Sequence, residues 1–194
     1  MDMFSYQLLF AIAEVNPELT HFVLRLYKNT LNPFIDTKGD FSYAWISVFT
    51  LDDLERKIEA YEEEGYLVSL TSIVMTTRGL QSLLMLDFSV PKSDEAKADI
   101  ISKISTFNTS GDVLYKINGW LIETNTSYHF LGKHTTSQEN FRNFLGSSLL
   151  FRHKDQNYFI VDDRWLGHQL KKGYGSIRIG HKERGEFPKV VAEI

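Results

Sequence analysis

Short apolar and aromatic runs, separated by polar turn residues, recur along most of the chain. Their length of four to ten residues and their enrichment in Val, Ile, Phe, Tyr and Trp are typical of β-strands. Glycine, asparagine and aspartate punctuate them, and Thr77-Arg78-Gly79 has the composition of a hairpin turn. The pattern predicts strands over residues 21–27, 43–49, 67–76, 80–88, 113–117, 120–123, 128–131, 158–161, 176–179 and 189–192.

Apolar residues at three-to-four spacing predict helices between some of these strands. Thr50 and Ser93 are suitable N-caps for two helices, the first ending at Gly65, and Thr136 with Glu139 forms a capping box for a third. A fourth helix is predicted over residues 164–170. Many strands with a few interspersed helices predict an α+β fold.

The composition is that of an ordinary globular protein. The 194 residues are 43% hydrophobic and 24% charged, which predicts a single domain spanning residues 1–194. The absence of cysteine excludes disulfides and thiolate metal sites. The apolar stretch at residues 7–13 is short and meets Glu14, so we expect neither a signal peptide nor a membrane span, and a soluble, cytoplasmic protein.

The formal net charge of −4 is unevenly distributed. Residues 1–100 hold 8 Lys and Arg against 16 Asp and Glu, whereas residues 101–194 hold 13 against 9. A basic C-terminal half favours a polyanionic ligand there. Equally, the two halves could neutralise one another in the fold.

Three short polar motifs in the second half suggest one site. They are Asp87-Phe88-Ser89 after an apolar run, Ser127-Tyr128-His129, and Val161-Asp162. Carboxylates bind hard divalent cations, and a histidine can donate to a phosphate oxygen. The sequence then continues to His168 and to Ser176-Ile177-Arg178. The motifs could therefore converge on a metal-bound phosphate, with Lys171 and Arg178 offsetting its charge.

The order of these motifs resembles that of the archaeo-eukaryotic primase (primase–polymerase) superfamily. The resemblance covers residues 67–180 as a primase-like core and leaves residues 1–65 without an assigned role. It implies an RRM-like antiparallel sheet flanked by helices. It also implies metal-dependent nucleotidyl transfer in DNA replication, with a nucleoside triphosphate and DNA or RNA as partners. The implied site residues are Asp87 and Asp162 as catalytic ligands of Mg²⁺ or Mn²⁺, and Ser127, His129, Lys171 and Arg178 as substrate contacts.

The first motif departs from this pattern. The superfamily has two acids separated by one residue, and Ser89 takes the second position here. Residues i and i+2 of a strand point the same way, so a neutral hydroxyl would stand where a carboxylate is expected. Asp163 and Glu123 are the candidates for an additional acid.

Two other interpretations stay open. The chain could be a non-catalytic module that kept the fold and binds nucleic acid or a protein. It could also be an unrelated α+β protein in which the motif order is accidental. In the latter case Asp87, His129 and Asp162 would lie far apart in space, and Asp162 or Asp163 would serve only to cap the helix that follows.

Overall fold

An antiparallel β-sheet with helices on both faces forms the described part of the chain, residues 3–28, 41–109, 117–152, 159–181 and 187–194 of the computed structural model. The strands are β1 (Leu19–Lys28), β2 (Phe41–Ser47), β3 (Tyr66–Thr76), β4 (Gly79–Asp87), β5 (Gly119–Glu123), β6 (Tyr128–Thr136), β7 (Ser176–Arg178) and β8 (Lys189–Glu193). The helices are α1 (Leu8–Val15), α2 (Leu54–Glu63), α3 (Asp94–Thr109), α4 (Gln138–Ser148) and α5 (Asp163–Lys172).

Seven of these strands follow one another across the sheet in the order β2-β1-β3-β4-β6-β5-β8, and β7 pairs with β3. All pairings are antiparallel. The predicted α+β class and the antiparallel sheet flanked by helices are therefore confirmed. Strands β1 and β2, from the segment without an assigned role, belong to the same sheet as the motif-bearing strands. In the described residues, no helix combines the length and apolarity needed to span a membrane.

The two faces of the sheet pack against different helices. Val68 of β3 lies with Ile58 of α2 around Gly180, whereas Phe130 of β6 packs against Phe144 of α4, with ring centroids 6.3 Å apart. Side chains alternate between faces along a strand, so Ser69 projects to the face opposite α2.

Strand β3 has two partners along one edge, which produces a fork in the sheet. Residues 73–76 of β3 pair with β4, and residues 69–71 pair with β7. Beyond Ser82, strand β4 no longer pairs with β3 and keeps only β6, on its other edge, as a partner among the described strands. The end of β4 and strand β7 therefore lie side by side at the fork, and both carry predicted site residues.

The start of α2 differs from the prediction. Ser47 ends β2 and its side chain accepts from the Phe49 backbone N–H, which starts a 3-10 helix over Val48–Asp53. Thr50 lies inside that segment with non-helical angles (φ −123°, ψ 21°), and α2 begins only at Leu54. The predicted cap at Thr50 is wrong because Ser47 caps the chain three residues earlier.

Other differences concern the ends and identity of elements. Thr136 still belongs to β6, and Ser137 caps α4 by accepting from the Asn140 N–H at 3.1 Å. Where a strand was predicted over 158–161, Phe159 and Val161 form only isolated bridges, with Arg152 and Phe88 respectively. Helix α1 was not predicted. Residues 110–116 and 153–158, which include most of the predicted strand at 113–117, lie outside the described residues.

Close packing at Gly119 offers a test of the sheet. A Cβ at this position would clash with the Leu131 backbone oxygen and approach the Phe130 ring to 2.7 Å. We expect Gly119→Ala to lower the free energy of unfolding by about 1–3 kcal/mol. Gly146→Ala in α4 is the matched control, since its Cβ would meet no atom within 4 Å, and it should stabilise by about 0.5–1 kcal/mol. Urea denaturation of both variants measures these changes, and equal effects would contradict the packing.

Candidate functional site

A cleft of about 1180 Å³ lies at the fork of the sheet. Its lining comes from β1, β3, the end of β4, the turn between β5 and β6, the start of β6, helix α5 and β7. The cleft contains Asp87, Ser127, His129, Asp162 and Arg178 together. The motif residues that are distant in sequence therefore converge, whereas the accidental-order interpretation expects them far apart.

The strand register arranges part of the lining as a row across the sheet. Arg25 of β1 is directly opposite Ser69 of β3, and Ser69 is directly opposite Arg178 of β7. Directly opposite residues project on the same face, so two guanidinium groups flank Ser69 on the cleft floor. On the other side of the fork, Asp87 is directly opposite His129.

Asp87 and Asp162, which carry the two motif carboxylates, lie next to each other in space. The backbone N–H of Asp162 donates to the backbone oxygen of Asp87 at 2.9 Å. Asp162 is the N-cap of α5, and its Oδ1 accepts from the Trp165 N–H at 2.7 Å. The prediction that this residue caps the helix is confirmed. The cap uses one carboxylate oxygen and fixes the direction of the side chain.

The electrostatic environment of Asp87 opposes its ionisation. Burial, followed by the neighbouring Asp162 carboxylate, raises the pKa of Asp87 to about 7, against the opposing influence of Arg178 and of the Phe88 N–H. A carboxyl group with this pKa is about half protonated at neutral pH. Two carboxylates held together in this way favour a cation or a shared proton.

His129 is neutral at physiological pH. Burial, and secondarily the charge of Arg178, lowers the pKa of His129 to about 3. Its Nε2 lies 3.4 Å from Oδ1 of Asp87, and Ile122 of β5 is its cross-strand neighbour on the other side. The side chain is 7% exposed. His129 therefore contributes to the cleft as an uncharged imidazole.

Ser89 lies in the cleft but supplies no charge. Its hydroxyl is 3.4 Å from the backbone oxygens of Phe159 and Ile160, to which it can donate. The candidate additional acids are elsewhere: Asp163 is exposed in the first turn of α5, and Glu123 forms an ion pair with Lys92 at 3.1 Å. Neither lines the cleft. In the part of the chain described, no group of three or more acids and histidines could hold a metal ion.

Positive charge predominates in the cleft lining. Among the residues that the structure describes, five cationic side chains line it, against the two carboxylates Asp87 and Asp162. The Nε of Arg178 is buried and has no hydrogen-bond partner in the described segments. The cations are Arg25, Lys92, Arg164, Lys172 and Arg178. A protein with a net charge of −4 thus has a cleft with an excess of positive charge, which suits a polyanionic ligand.

Sequence reasoning located most of this site but not all of it. Lys171 is exposed and does not line the cleft, whereas its neighbour Lys172 does. Arg25 was missed, although an arginine between Leu24 and Leu26 breaks an apolar strand and could have been noticed. Trp165 was also missed: its indole N–H donates to the Ser176 oxygen at 2.9 Å and joins α5 to β7.

Comparison with known families decides the relationship. A family model described as AEP-like, archaeo-eukaryotic primase 1D-like, matches residues 47–191. The chain belongs to this family. The match includes every motif residue from Asp87 to Arg178 and confirms the superfamily inferred from the motif order. The matched range also includes α2 and the first three residues of β8, which lie outside residues 67–180.

Other comparisons add no relatives to this primase-like chain. Neither curated proteins nor solved structures give a match. The family match leaves β1 and almost all of β2 outside its range, although both belong to the sheet and Arg25 of β1 lines the cleft.

The raised pKa of Asp87 predicts a pH-dependent effect of its replacement. Between about pH 4 and pH 7 the native state retains a proton that the unfolded chain loses, so this group stabilises less as pH rises through 7. Asp87→Asn removes this pH-dependent loss of folding stability, because asparagine does not ionise. We expect the variant to gain about 1–3 kcal/mol over the parent between pH 5 and pH 8 in metal-free urea unfolding. A stability difference independent of pH would contradict the assignment.

Proposed function

We propose that this primase-like protein binds a nucleoside triphosphate in the cleft and, with the help of one divalent cation, transfers its nucleotidyl group to the 3′-hydroxyl of a nucleic-acid strand. The new phosphodiester bond replaces the bond between the α- and β-phosphates, and pyrophosphate leaves. The observation that carries the proposal is the convergence of five cationic side chains with two adjacent carboxylates in one cleft of a primase-family fold. The family supports interaction with nucleotides or nucleic acid in general terms.

Phosphate binding follows from the cationic lining. Arg178 has a buried donor nitrogen without a protein partner in the described residues, and a phosphate oxygen would satisfy it. Arg25 lies two strands away in the same row, and Lys172 approaches from α5. Together they can surround a polyphosphate from the floor and from one wall. Neutral His129 can donate one hydrogen bond, provided that its proton is on the nitrogen facing the ligand.

The residues present fit one divalent cation rather than two. Asp87 and Asp162 are held together by a backbone hydrogen bond, and burial beside Asp162 keeps Asp87 partly protonated. Mg²⁺ or Mn²⁺ would be held by these two acids, with phosphate oxygens and water as further ligands. When bound, the cation neutralises charge on the transferred phosphate. The neutral Ser89 supplies no carboxylate for a second ion.

The remaining residues position the substrate. The Asp162 cap fixes that carboxylate at the start of α5, where the positive end of the helix dipole also favours anions. The indole bond of Trp165 to Ser176 ties this helix to β7, which carries Arg178. Asp162, which would hold the cation, and Arg178, which would bind phosphate, therefore lie on two elements that are hydrogen-bonded to each other.

Nucleotide-dependent metal binding tests the proposal. Calorimetric titration of Mn²⁺ should show binding in the presence of ATP that weakens at least about ten-fold in Asp162→Asn, because one of two charged ligands is lost. Asparagine is a good N-cap, so this change separates charge from helix capping. Primer extension with Mn²⁺ should fall in parallel.

Asp163→Asn is the matched control, since Asp163 lies in the same turn but outside the cleft. It should leave Mn²⁺ binding and primer extension unchanged. If Asp162→Asn and Asp163→Asn behave alike, Asp162 is not a metal ligand.

Adjacent lysines allow a second test. Lys172→Ala should weaken ATP binding by about 3–10-fold and lower its dependence on salt, because it removes a cation from the cleft wall. Lys171→Ala should have no such effect, since that side chain lies outside the lining. Equilibrium binding of a fluorescent ATP analogue at two salt concentrations measures both. The opposite ranking would favour Lys171 as the substrate contact.

A non-catalytic module that binds nucleic acid is the second candidate. The observation that favours it is that the described residues place only two carboxylates in the cleft lining, with Ser89 directed at backbone oxygens. It predicts binding of single-stranded nucleic acid in EDTA, unchanged by Asp162→Asn, without Mn²⁺ uptake or primer extension. That combination of results would replace the first candidate.

A further inference from the structure

Two aromatic side chains on the edge strand β2 are unusually exposed. Tyr43 is 44% exposed and Trp45 is 53% exposed. Ile46 of the same strand, by contrast, is part of the core and only 3% exposed. Alternation along the strand places Tyr43 and Trp45 on one face and Ala44 and Ile46 on the other. We refer to Tyr43 and Trp45 as the aromatic strip.

The aromatic strip continues the polar row of the cleft. Tyr43 is directly opposite Arg25, which is directly opposite Ser69, which is directly opposite Arg178. Strands in a sheet lie about 4.8 Å apart, so about 14 Å separates the β7 and β2 positions of this row. Trp45 lies two residues further along β2, opposite Val23.

Contacts with neighbouring elements fix the orientation of the strip. The hydroxyl oxygens of Tyr43 and Tyr174 lie 2.6 Å apart, which ties β2 to the turn between α5 and β7. The ring of Trp45 meets His21 edge-on, with centroids 6.3 Å apart. Each aromatic side chain is thus held by a neighbouring residue while about half of it stays exposed, as a stacking platform requires.

We propose that the aromatic strip binds single-stranded nucleic acid, with bases stacked on Tyr43 and Trp45 and the strand's phosphates directed along Arg25 toward the cleft. This proposal rests on the proposed function and names a surface for the nucleic-acid partner. Single strands combine charged phosphates with exposed base faces, which matches a cationic groove continued by aromatic rings. The arginine row argues for this occupant over an apolar protein segment.

The family relationship does not supply this surface. The family match begins at residue 47, so Tyr43, Trp45 and Arg25 all lie outside it. The strip is therefore a feature of this chain's additional strands, which extend the sheet beyond the matched segment.

Oligonucleotide binding tests the strip directly. Fluorescence anisotropy of a labelled oligothymidylate of about 12 nucleotides, with an oligouridylate counterpart, should show about ten-fold weaker binding for Trp45→Ala, because one stacked base is lost. Trp45→Phe should retain most of the affinity. Phe49→Ala is the matched control: Phe49 is 89% exposed but lies in the 3-10 helix after β2, and its loss should have no effect.

Binding of ATP distinguishes failure of this proposal from failure of the proposed function. Trp45→Ala should leave ATP binding unchanged, since Trp45 does not line the cleft. Oligonucleotide binding unaffected by Trp45→Ala, in a protein that still binds ATP, would overturn the strip alone. Equal losses of oligonucleotide affinity in Trp45→Ala and Phe49→Ala would also overturn the strip. So would a Trp45→Ala variant that changes only the self-association of the protein, measured by sedimentation. Absence of both ATP and oligonucleotide binding would overturn both proposals.

Discussion

Side-chain alternation along paired strands is the constraint on which the structure depends. Because Val68 faces helix α2, its neighbour Ser69 must face the opposite side, and the register then places Arg25 and Arg178 beside it. A one-residue slip of β1 or β7 would send a guanidinium into the aliphatic core. The hydrophobic packing of one face therefore specifies the arrangement of charge on the other.

The cleft concentrates groups whose mutual repulsion the protein relieves only in part. Asp87 and Asp162 are brought together by a backbone hydrogen bond, and burial makes their joint ionisation unfavourable. Nearby, Arg178 disfavours a charge on His129. Such an arrangement costs folding stability, and perturbed groups of this kind are concentrated at functional sites. The same groups become favourable once a ligand of complementary charge is present.

Much of this organisation was predictable from sequence because it depends on local patterns. Apolar runs gave the strands, and the order of Asp87, His129 and Asp162 gave the centre of the site. What local patterns lack is register across distant strands. Arg25 reaches the cleft through pairing with Ser69, and Lys172 rather than Lys171 faces inward because of how α5 sits on the sheet. The caps at Ser47 and Ser137 were missed because Thr50 and Thr136, which lie nearby in the sequence, are equally suitable N-caps by residue type.

The fork in the sheet has a consequence for the order in which the chain folds. Strand β3 meets β4 through a tight turn at Thr77 and Arg78, but the residues that pair β3 with β7 are more than 100 positions apart in the sequence. Closing so long a loop is entropically costly, so the local hairpin is expected to form early and β7 to dock late. Arg178 arrives with β7. During synthesis, the hairpin can form before β7 has been made, and the charged floor is completed only once Arg178 has been added.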